Sequence, residues 1–139
     1  MRVYSDGGAR GNPGPAAFAY LICSEDGRVL KESDGYIGPA TNNEAEYRGL
    51  IAALSQARTM GAEEIEVTMD SELIVKQMKG EYRIKARNLA PLAEEAERLL
   101  SEFKRASITH ARRDDPMISR TDRLVNEELD RRDLLRKLR

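Results

Sequence analysis

The sequence predicts an α/β fold: a mixed sheet of five strands flanked by helices. Two observations lead to this prediction. Three segments with strand character come first, and helical and strand patterns alternate after them, in the order β-β-β-α-β-α-α-β-α. Strands joined by tight turns pair antiparallel, while strands separated by helices add in parallel. The length of 139 residues suits one domain, which we expect to span residues 1–139.

The three leading strands are predicted from apolar runs that end at turn residues. Residues 1–5 (MRVYS) form a short strand candidate that ends at Asp6. Residues 16–24 and 28–37 flank the sequence EDG at 25–27, which is typical of a hairpin turn. These strands should therefore form the antiparallel part of the sheet.

The later elements follow from hydrophobic periodicity. Apolar residues at helical spacing predict a helix over 43–61, and Gly61 is a good stop. Alternation of Ile65, Val67 and Met69 with polar residues predicts a strand that ends at Asp70. The remaining predictions are a short helix over 71–80, a longer helix over 88–105 interrupted near Pro91, a strand over 106–112, a loop over 113–119 and a closing amphipathic helix over 120–139.

Composition restricts the class of protein. The formal net charge is −1, so the chain has no overall excess of basic residues that would attract nucleic acid. Cys23 is the only cysteine, which rules out an internal disulfide, and we expect it to be packed in the core of a cytoplasmic protein. No long apolar segment predicts a membrane span, and we expect a monomer. With His110 as the only histidine, a histidine–cysteine zinc site is also excluded.

Acidic residues follow two of the predicted strands. Asp6 ends the first strand and Asp70 ends the fourth, and the carboxyl ends of parallel neighbours lie on the same edge of a sheet. Carboxylate oxygens suit Mg²⁺ or Mn²⁺. Two such ions held by shared carboxylates can activate water and stabilise the leaving oxygen in phosphodiester hydrolysis.

Each acid also has an ordinary structural interpretation. Asp6 before two glycines is a good turn residue, and Asp70 before Ser-Glu-Leu is a good N-cap. Glu46 stands three residues after Asn43, which is the spacing of a capping box, and Asp122 near a helix start would meet the helix dipole favourably. The functional interpretation therefore depends on all four acids meeting in one place.

Four segments carry a family resemblance. SDGGARGNPGPAAFAY, TNNEAEY, MDSELIVKQMKGEY and RTDRLVNEELD resemble, in order, the motifs of type 1 ribonuclease H, over essentially the whole chain. The resemblance implies a mixed five-stranded sheet with surrounding helices. It also implies endonucleolytic cleavage of RNA paired with DNA, which leaves a 5′-phosphate and a 3′-hydroxyl.

The resemblance assigns roles to the four acids. Two ions, Mg²⁺ or Mn²⁺, are implied. Asp6 would bridge both, Asp122 would serve the ion on the water side, and Glu46 and Asp70 the ion on the leaving-group side.

The resemblance also implies contacts to the substrate. Three glycines would leave space for a sugar–phosphate backbone and expose amide groups to it, namely Gly7, Gly8 and Gly11. Asn12, Asn42 and Asn43 correspond to polar contacts in the minor groove, where RNA 2′-hydroxyls distinguish a hybrid from DNA.

The chain departs from the family pattern near the last aspartate. Many members carry a catalytic histidine in that loop, and here the loop is RRDDPMIS. Arg113, or else Arg112, would replace it in an electrostatic role, because a guanidinium cannot act as a base near neutral pH. Glu72 stands where the family often has glutamine, which we expect to weaken a groove contact.

The family's basic protrusion is absent from the sequence. The segment KQMKGEYRIKARN still places basic residues around Tyr82, namely Lys76, Lys79, Arg83, Lys85 and Arg87. They form either a solvated face or a modest phosphate-contacting patch. Two alternatives to a hybrid-specific ribonuclease stay open: a nuclease that also cuts double-stranded RNA, and a non-catalytic hybrid-binding module.

Overall fold

The computed structural model describes residues 1–139 as a five-stranded sheet with four helices. The strands are β1 (Arg2–Ala9), β2 (Gly14–Cys23), β3 (Val29–Ala40), β4 (Glu64–Met69) and β5 (Arg105–His110). The helices are α1 (Asn42–Thr59), α2 (Glu72–Met78), α3 (Ala90–Ser101) and α4 (Pro116–Lys137). None of the helices has the length and apolarity needed to cross a lipid bilayer.

The sheet has the strand order β3-β2-β1-β4-β5. β1 pairs antiparallel with β2, and β2 pairs antiparallel with β3. β4 then adds parallel to β1, and β5 adds parallel to β4. The predicted fold class is confirmed, with the leading strands antiparallel and the later ones parallel.

The helices cover both faces of the sheet. α1, α2 and α3 pack on one face, where the largest apolar cluster includes Val3, Leu54, Val67, Ala96 and Ile108. On the other face, Val125 and Leu129 of α4 pack against Ala17 and Ala19 of β2. The small alanine side chains allow α4 to lie close to the strands.

The periodic segments behave as the sequence predicts. The apolar residues that predicted α1 are all fully buried, namely Ala45, Leu50, Ala53, Leu54 and Ala57. Ile65, Val67 and Met69 of β4 face the core. Cys23 is buried, so its thiol acts as a packed side chain.

Several elements differ from the prediction by a few residues, and three of the differences have a clear physical cause. β1 continues beyond residue 5, because residues 6–9 pair with residues 16–19 of β2. Pro91 does not interrupt α3 but lies in its first turn, where a missing N–H costs nothing. α4 begins at Pro116 instead of residue 120, because the Asp115 side chain caps it by accepting the N–H groups of residues 117 and 118.

The strand register decides where the first two acids lie. The parallel pairing of β1 with β4 ends at Ser5 opposite Met69. Asp6 and Asp70 are the next residues along the two strands. Both acids therefore lie at the same edge of the sheet, at the centre of the strand order.

Candidate active site

A polar cavity of about 350 Å³ opens at this edge of the sheet. No hydrophobic residue lines it. The lining comprises the four acids singled out in the sequence together with glycine, asparagine, serine and arginine residues: Asp6, Gly7, Gly8, Asn42, Asn43, Glu46, Asp70, Ser71, Arg113 and Asp122. Side chains from β1, α1, α4 and the residues after β4 and β5 thus meet in one cavity.

Two of the acids lie below the surface of the cavity. Asp6 is only 6% exposed and Glu46 only 7% exposed. Glu46 projects from α1 towards β1, where its Oε1 atom accepts the backbone N–H of Gly7 at 2.9 Å. Its other oxygen, Oε2, is buried without any hydrogen-bond partner. A buried carboxylate oxygen without a donor is costly, and it marks a place where a cation would be favoured.

Neither Glu46 nor Asp70 caps a helix, although their positions in the sequence allowed that interpretation. The capping box of α1 uses Thr41 and Glu44: the Thr41 hydroxyl accepts the N–H of Glu44, and Glu44 accepts the N–H of Thr41. The N-cap of α2 is Ser71, whose hydroxyl accepts the N–H of Ile74. Each cap lies beside the acid in question, which leaves Glu46 and Asp70 free to line the cavity.

Burial changes the ionisation of the inner acids. Desolvation raises the pKa of Asp6 to about 6, and the nearby charges of Asp122 and Asp70 add to this effect. Burial raises the pKa of Glu46 well above its usual value, with a further contribution from Asp6. The cavity therefore favours a proton or another cation at this pair of carboxyl groups.

Arg113 is the only basic residue that lines the cavity. Its Nε atom lies 3.3 Å from Oδ2 of Asp70, and this contact raises the pKa of the Arg113 guanidinium. Arg112 is exposed and does not line the cavity. His110 is an exposed residue at the end of β5 and is also outside the cavity. Of the three basic residues around the loop, Arg113 alone meets the acids.

The glycines of the first loop differ in their surroundings. A Cβ atom on Gly7 would overlap the carbonyl group of Ala45 and lie 2.6 Å from the backbone nitrogen of Glu46, so the close approach of α1 requires glycine here. The N–H of Gly7 is already donated to Glu46. A Cβ atom on Gly8 would make ordinary van der Waals contact, 3.8 Å from its nearest neighbour, and Gly11 has a φ of +87° within the turn. Of the three glycines, Gly7 and Gly8 line the cavity and Gly11 does not.

The asparagines connect the loop to the start of α1. The Asn42 side chain accepts the N–H of Ala9 at 2.8 Å, and the Asn12 side chain accepts the N–H of Asn42 at 2.9 Å. Both bonds use the amide oxygen, so each NH₂ group keeps its donors for other partners. Asn12 does not line the cavity itself, whereas Asn42 and Asn43 do.

Two residues that shape this region were not predicted from the sequence. Ser71 lines the cavity, and its position directly after a strand and before a helix was a recognisable cap pattern. Arg10 fastens the glycine-rich loop to α4 through Asp130, at 2.6 Å, and through the carbonyl oxygen of Asn126. No local pattern predicts the pair of Arg10 and Asp130, because its members are 120 positions apart.

The basic segment runs from the last turn of α2 into the connection that follows, where its basic residues are exposed. Lys76 pairs with Glu72 at 2.8 Å and lies over the Tyr82 ring. The other basic residues make no ion pair, namely Lys79, Arg83, Lys85 and Arg87. Their charge is available for an external partner, while the charge of Glu72 is offset by Lys76.

The carboxylates in the cavity lie too far apart to form a ready metal site. As the side chains stand, no group of three acidic, histidine or cysteine residues is close enough to hold a metal ion. The donor set itself suits a hard divalent cation, because it consists of oxygen atoms and includes the unpartnered Oε2 of Glu46. The cavity therefore offers the type of ligand that such a cation prefers, although its acids lie apart.

Comparison with known proteins gives consistent matches. A family model described as reverse transcriptase-like matches residues 4–120. The bifunctional protein Rv2228c of Mycobacterium tuberculosis is 44% identical over 132 residues, which cover 92% of this chain and 35% of that protein. Ribonuclease HI of Halobacterium salinarum is 43% identical over 130 residues, covering 94% of this chain and 64% of that protein. The chain spans less than two thirds of the length of these relatives.

Solved structures match over nearly the whole chain. RNase H1 from Halobacterium salinarum superimposes with a TM-score of 0.88 at 43% identity, covering 93% of this chain and 96% of that one. LC11-RNase H1, in complex with an RNA/DNA hybrid, superimposes with a TM-score of 0.84 at 43% identity, covering 91% and 94%. At this level of identity and overlap, the chain shares its fold with these proteins.

Proposed function

This chain belongs to the type 1 ribonuclease H family, and we propose that it is a metal-dependent endoribonuclease that hydrolyses the RNA strand of RNA–DNA hybrids. The products would carry 5′-phosphate and 3′-hydroxyl ends. One observation carries the proposal: four acids from separate elements line one cavity without hydrophobic residues. Carboxylates repel phosphates, so such a cluster would weaken binding in a protein that only binds nucleic acid.

The acids would hold divalent cations. We propose two ions, Mg²⁺ or Mn²⁺, bound by Asp6, Glu46, Asp70 and Asp122. The unpartnered Oε2 of Glu46 and the pKa of Asp6, which burial and the charges of Asp122 and Asp70 raise, both support a cation at this place. When bound, such ions supply an activated water and offset the negative charge that develops on the phosphate.

The protein itself contributes position and charge. The bond from Gly7 to Glu46 holds the glutamate of α1 against β1, so the carboxyl group keeps its orientation before any ligand arrives. The cap on Ser71 fixes the start of α2 directly beside Asp70. Arg113 supplies the only positive charge that lines the cavity and would contact the scissile phosphate. It would not move a proton, because its pKa lies far above neutral pH.

Recognition of the hybrid would fall to the loop and the start of α1. Asn12 and Asn42 use their side-chain oxygens within the protein and keep their NH₂ groups for acceptors outside it. A 2′-hydroxyl is an acceptor of this kind, and only the RNA strand carries it. Gly8 lines the cavity, and because it has no side chain it would let the sugar–phosphate backbone approach.

The direct test is a comparison of substrates. The purified chain is incubated with an end-labelled RNA–DNA hybrid, double-stranded RNA, double-stranded DNA and single-stranded RNA, each with Mg²⁺, with Mn²⁺ and with a chelator. We expect cleavage of the hybrid only, at internal positions of the RNA, and none with the chelator. Binding of the hybrid without cleavage in either metal would contradict the proposal. Equal cleavage of double-stranded RNA would contradict its specificity.

A further inference from the structure

Arg113 lies in the short connection between β5 and α4 and reaches into the cavity from its rim. Its side chain is 81% exposed, whereas that of Asp70 is only 24% exposed. The contact of 3.3 Å with Asp70 is the only ion pair that Arg113 makes. The guanidinium is therefore held at one point and is otherwise free to move in solvent.

The contact uses a carboxylate that a metal would need. Asp70 offers its Oδ2 atom to Arg113, and the same acid belongs to the set proposed to hold the ions. A guanidinium and a divalent cation compete for one carboxylate, because both are positively charged and each repels the other at short distance. The remaining acids also act on Arg113, since Asp122 and Asp6 contribute to its raised pKa.

We propose that Arg113 is an internal counter-ion of the cavity: it pairs with Asp70 when no metal is bound and is displaced when a divalent cation arrives. This inference rests on the proposed function, because it takes the cavity to be a metal site. Without metal, the guanidinium reduces the mutual repulsion of the acids. Once displaced, it is free for a phosphate oxygen, which is the other partner that a guanidinium prefers.

The displacement couples two binding events through one side chain. Only the Nε atom of Arg113 contacts Asp70, and a phosphate that draws the guanidinium out of this exposed contact leaves Asp70 to the metal. By linkage, the metal then strengthens phosphate binding to the same degree. Arg113 thus links metal binding to phosphate binding, which an uncharged residue at position 113 could not do.

The test measures metal binding without any nucleic acid. Mn²⁺ is titrated into the full chain by calorimetry at low salt, for the parent and for Arg113→Ala, Arg113→Lys and Arg112→Ala. The exposed pair is a weak one, so we expect Arg113→Ala to bind Mn²⁺ about two- to fivefold more tightly than the parent. Arg113→Lys keeps the charge and should lie between the two. Arg112→Ala removes an equal charge from the same loop, outside the cavity, and should change the affinity less.

Salt provides a second readout of the same pair. An exposed ion pair is screened, so the difference between the parent and Arg113→Ala should shrink as the NaCl concentration rises. Unchanged or weaker Mn²⁺ binding in Arg113→Ala would overturn the inference. An equal gain in Arg112→Ala would also overturn it, because the effect would then be one of general charge and not of the contact with Asp70.

The outcome is separable from that of the proposed function. A parent chain that binds Mn²⁺ but leaves the hybrid intact would contradict the activity, and the affinities of the variants would still decide the role of Arg113. If neither the parent nor Arg113→Ala binds Mn²⁺, both ideas are wrong. Circular dichroism of each variant checks the fold, which a change at an exposed loop residue should not alter.

Discussion

The Oε1 atom of Glu46 accepts the backbone N–H of Gly7 at 2.9 Å, and this bond joins α1 to β1 directly beside the cavity. The two elements approach so closely that a side chain at position 7 has no space. The sequence suggests room for substrate at Gly7, Gly8 and Gly11 alike, but at Gly7 the close approach of α1 itself requires a glycine. Gly7 makes room for the protein's own helix.

The first prediction contrasts two neighbouring glycines. Gly7→Ala places a Cβ atom in overlap with the Ala45 carbonyl group, whereas in Gly8→Ala the nearest atom is 3.8 Å away. We expect Gly7→Ala to lower the free energy of unfolding by about 3 kcal/mol and Gly8→Ala to change it by less than about 1 kcal/mol. Urea unfolding at neutral pH measures both. Equal stabilities would show that α1 can move away from β1 at little cost.

The second prediction concerns catalysis. Asp70→Asn removes a charge that would hold the metal but keeps the size of the side chain. We expect hybrid cleavage to fall by more than about 100-fold, with an unchanged circular dichroism spectrum. Asp114→Asn is the matched control, because Asp114 is an exposed acid of the nearby loop that does not line the cavity. If Asp70→Asn cleaves as fast as the parent, the proposed site is wrong.

The third prediction is a dependence of stability on pH in metal-free protein. The folded pKa of Asp6 is raised from 3.8 to about 6, so the folded state binds more protons than the unfolded state between these values. The stability that this group contributes is fully present below its unfolded pKa and is lost as the pH rises through about 6. Glu46 is shifted in the same direction. In a chelator, the free energy of unfolding should therefore fall from this pair as the pH rises from acid to neutral.

Glu46→Gln tests this dependence. The variant removes the charge but can still accept the N–H of Gly7 through its amide oxygen. At pH 8 in a chelator we expect it to be more stable than the parent, on the order of 1–3 kcal/mol, with a smaller difference at pH 5. Thermal and urea unfolding at both pH values give the comparison. Added Mg²⁺ or Mn²⁺ should stabilise the parent more than the variant, and the opposite order would contradict a metal site at Glu46.

The fourth prediction concerns a buried polar pair. The Tyr47 hydroxyl donates a hydrogen bond of 2.7 Å to the side-chain oxygen of Gln77 and so connects α1 to α2 within the core. Tyr47→Phe leaves that oxygen without a donor, which should cost about 1–2 kcal/mol. The double variant Tyr47→Phe with Gln77→Leu removes both partners and should recover part of the loss. A single variant as stable as the parent would show that water replaces the bond.

The fifth prediction distinguishes the two interpretations of the basic segment. Replacing Arg83, Lys85 and Arg87 together with alanine removes three exposed charges that make no ion pair. If they contact phosphates, the Kd for the hybrid should rise and the slope of log K against log salt should decrease in magnitude by about one to three. A salt titration of hybrid binding in a chelator measures this slope. An unchanged slope would identify the segment as a solvated face.

Much of the fold follows from local pattern. The apolar periodicity of α1 and the alternation of β4 are clear in the sequence. Each element buries one face, and the apolar residues recur at the spacing of that face. The first residues of the helices are harder to predict from the sequence. In the run Thr41-Asn42-Asn43, every residue is able to cap a helix, and only the backbone geometry selects Thr41. At α4, Asp115 followed by Pro116 is an N-cap with a proline in the first turn, and a start at residue 120 overlooks this signal.

The residues of the site also differ in whether the sequence alone could place them. Asp6 and Asp70 could be brought together from the sequence, because strand ends in a parallel pair have a fixed relation to the sheet edge. The contact between Arg113 and Asp70 could not be placed from sequence alone, since a loop sets it. Similarly, the anchoring of Arg10 to Asp130 depends on how α4 crosses the sheet, and the requirement for glycine at position 7 depends on the distance between α1 and β1.

The placement of Asp122 on α4, far along the chain from Asp6, has a consequence for synthesis. Until that helix has left the ribosome and docked on the sheet, a growing polypeptide possesses only three of the acids in the cavity. A polypeptide that stops before residue 122 would therefore lack one acid of the proposed site, and the proposal implies that it could not cleave a hybrid.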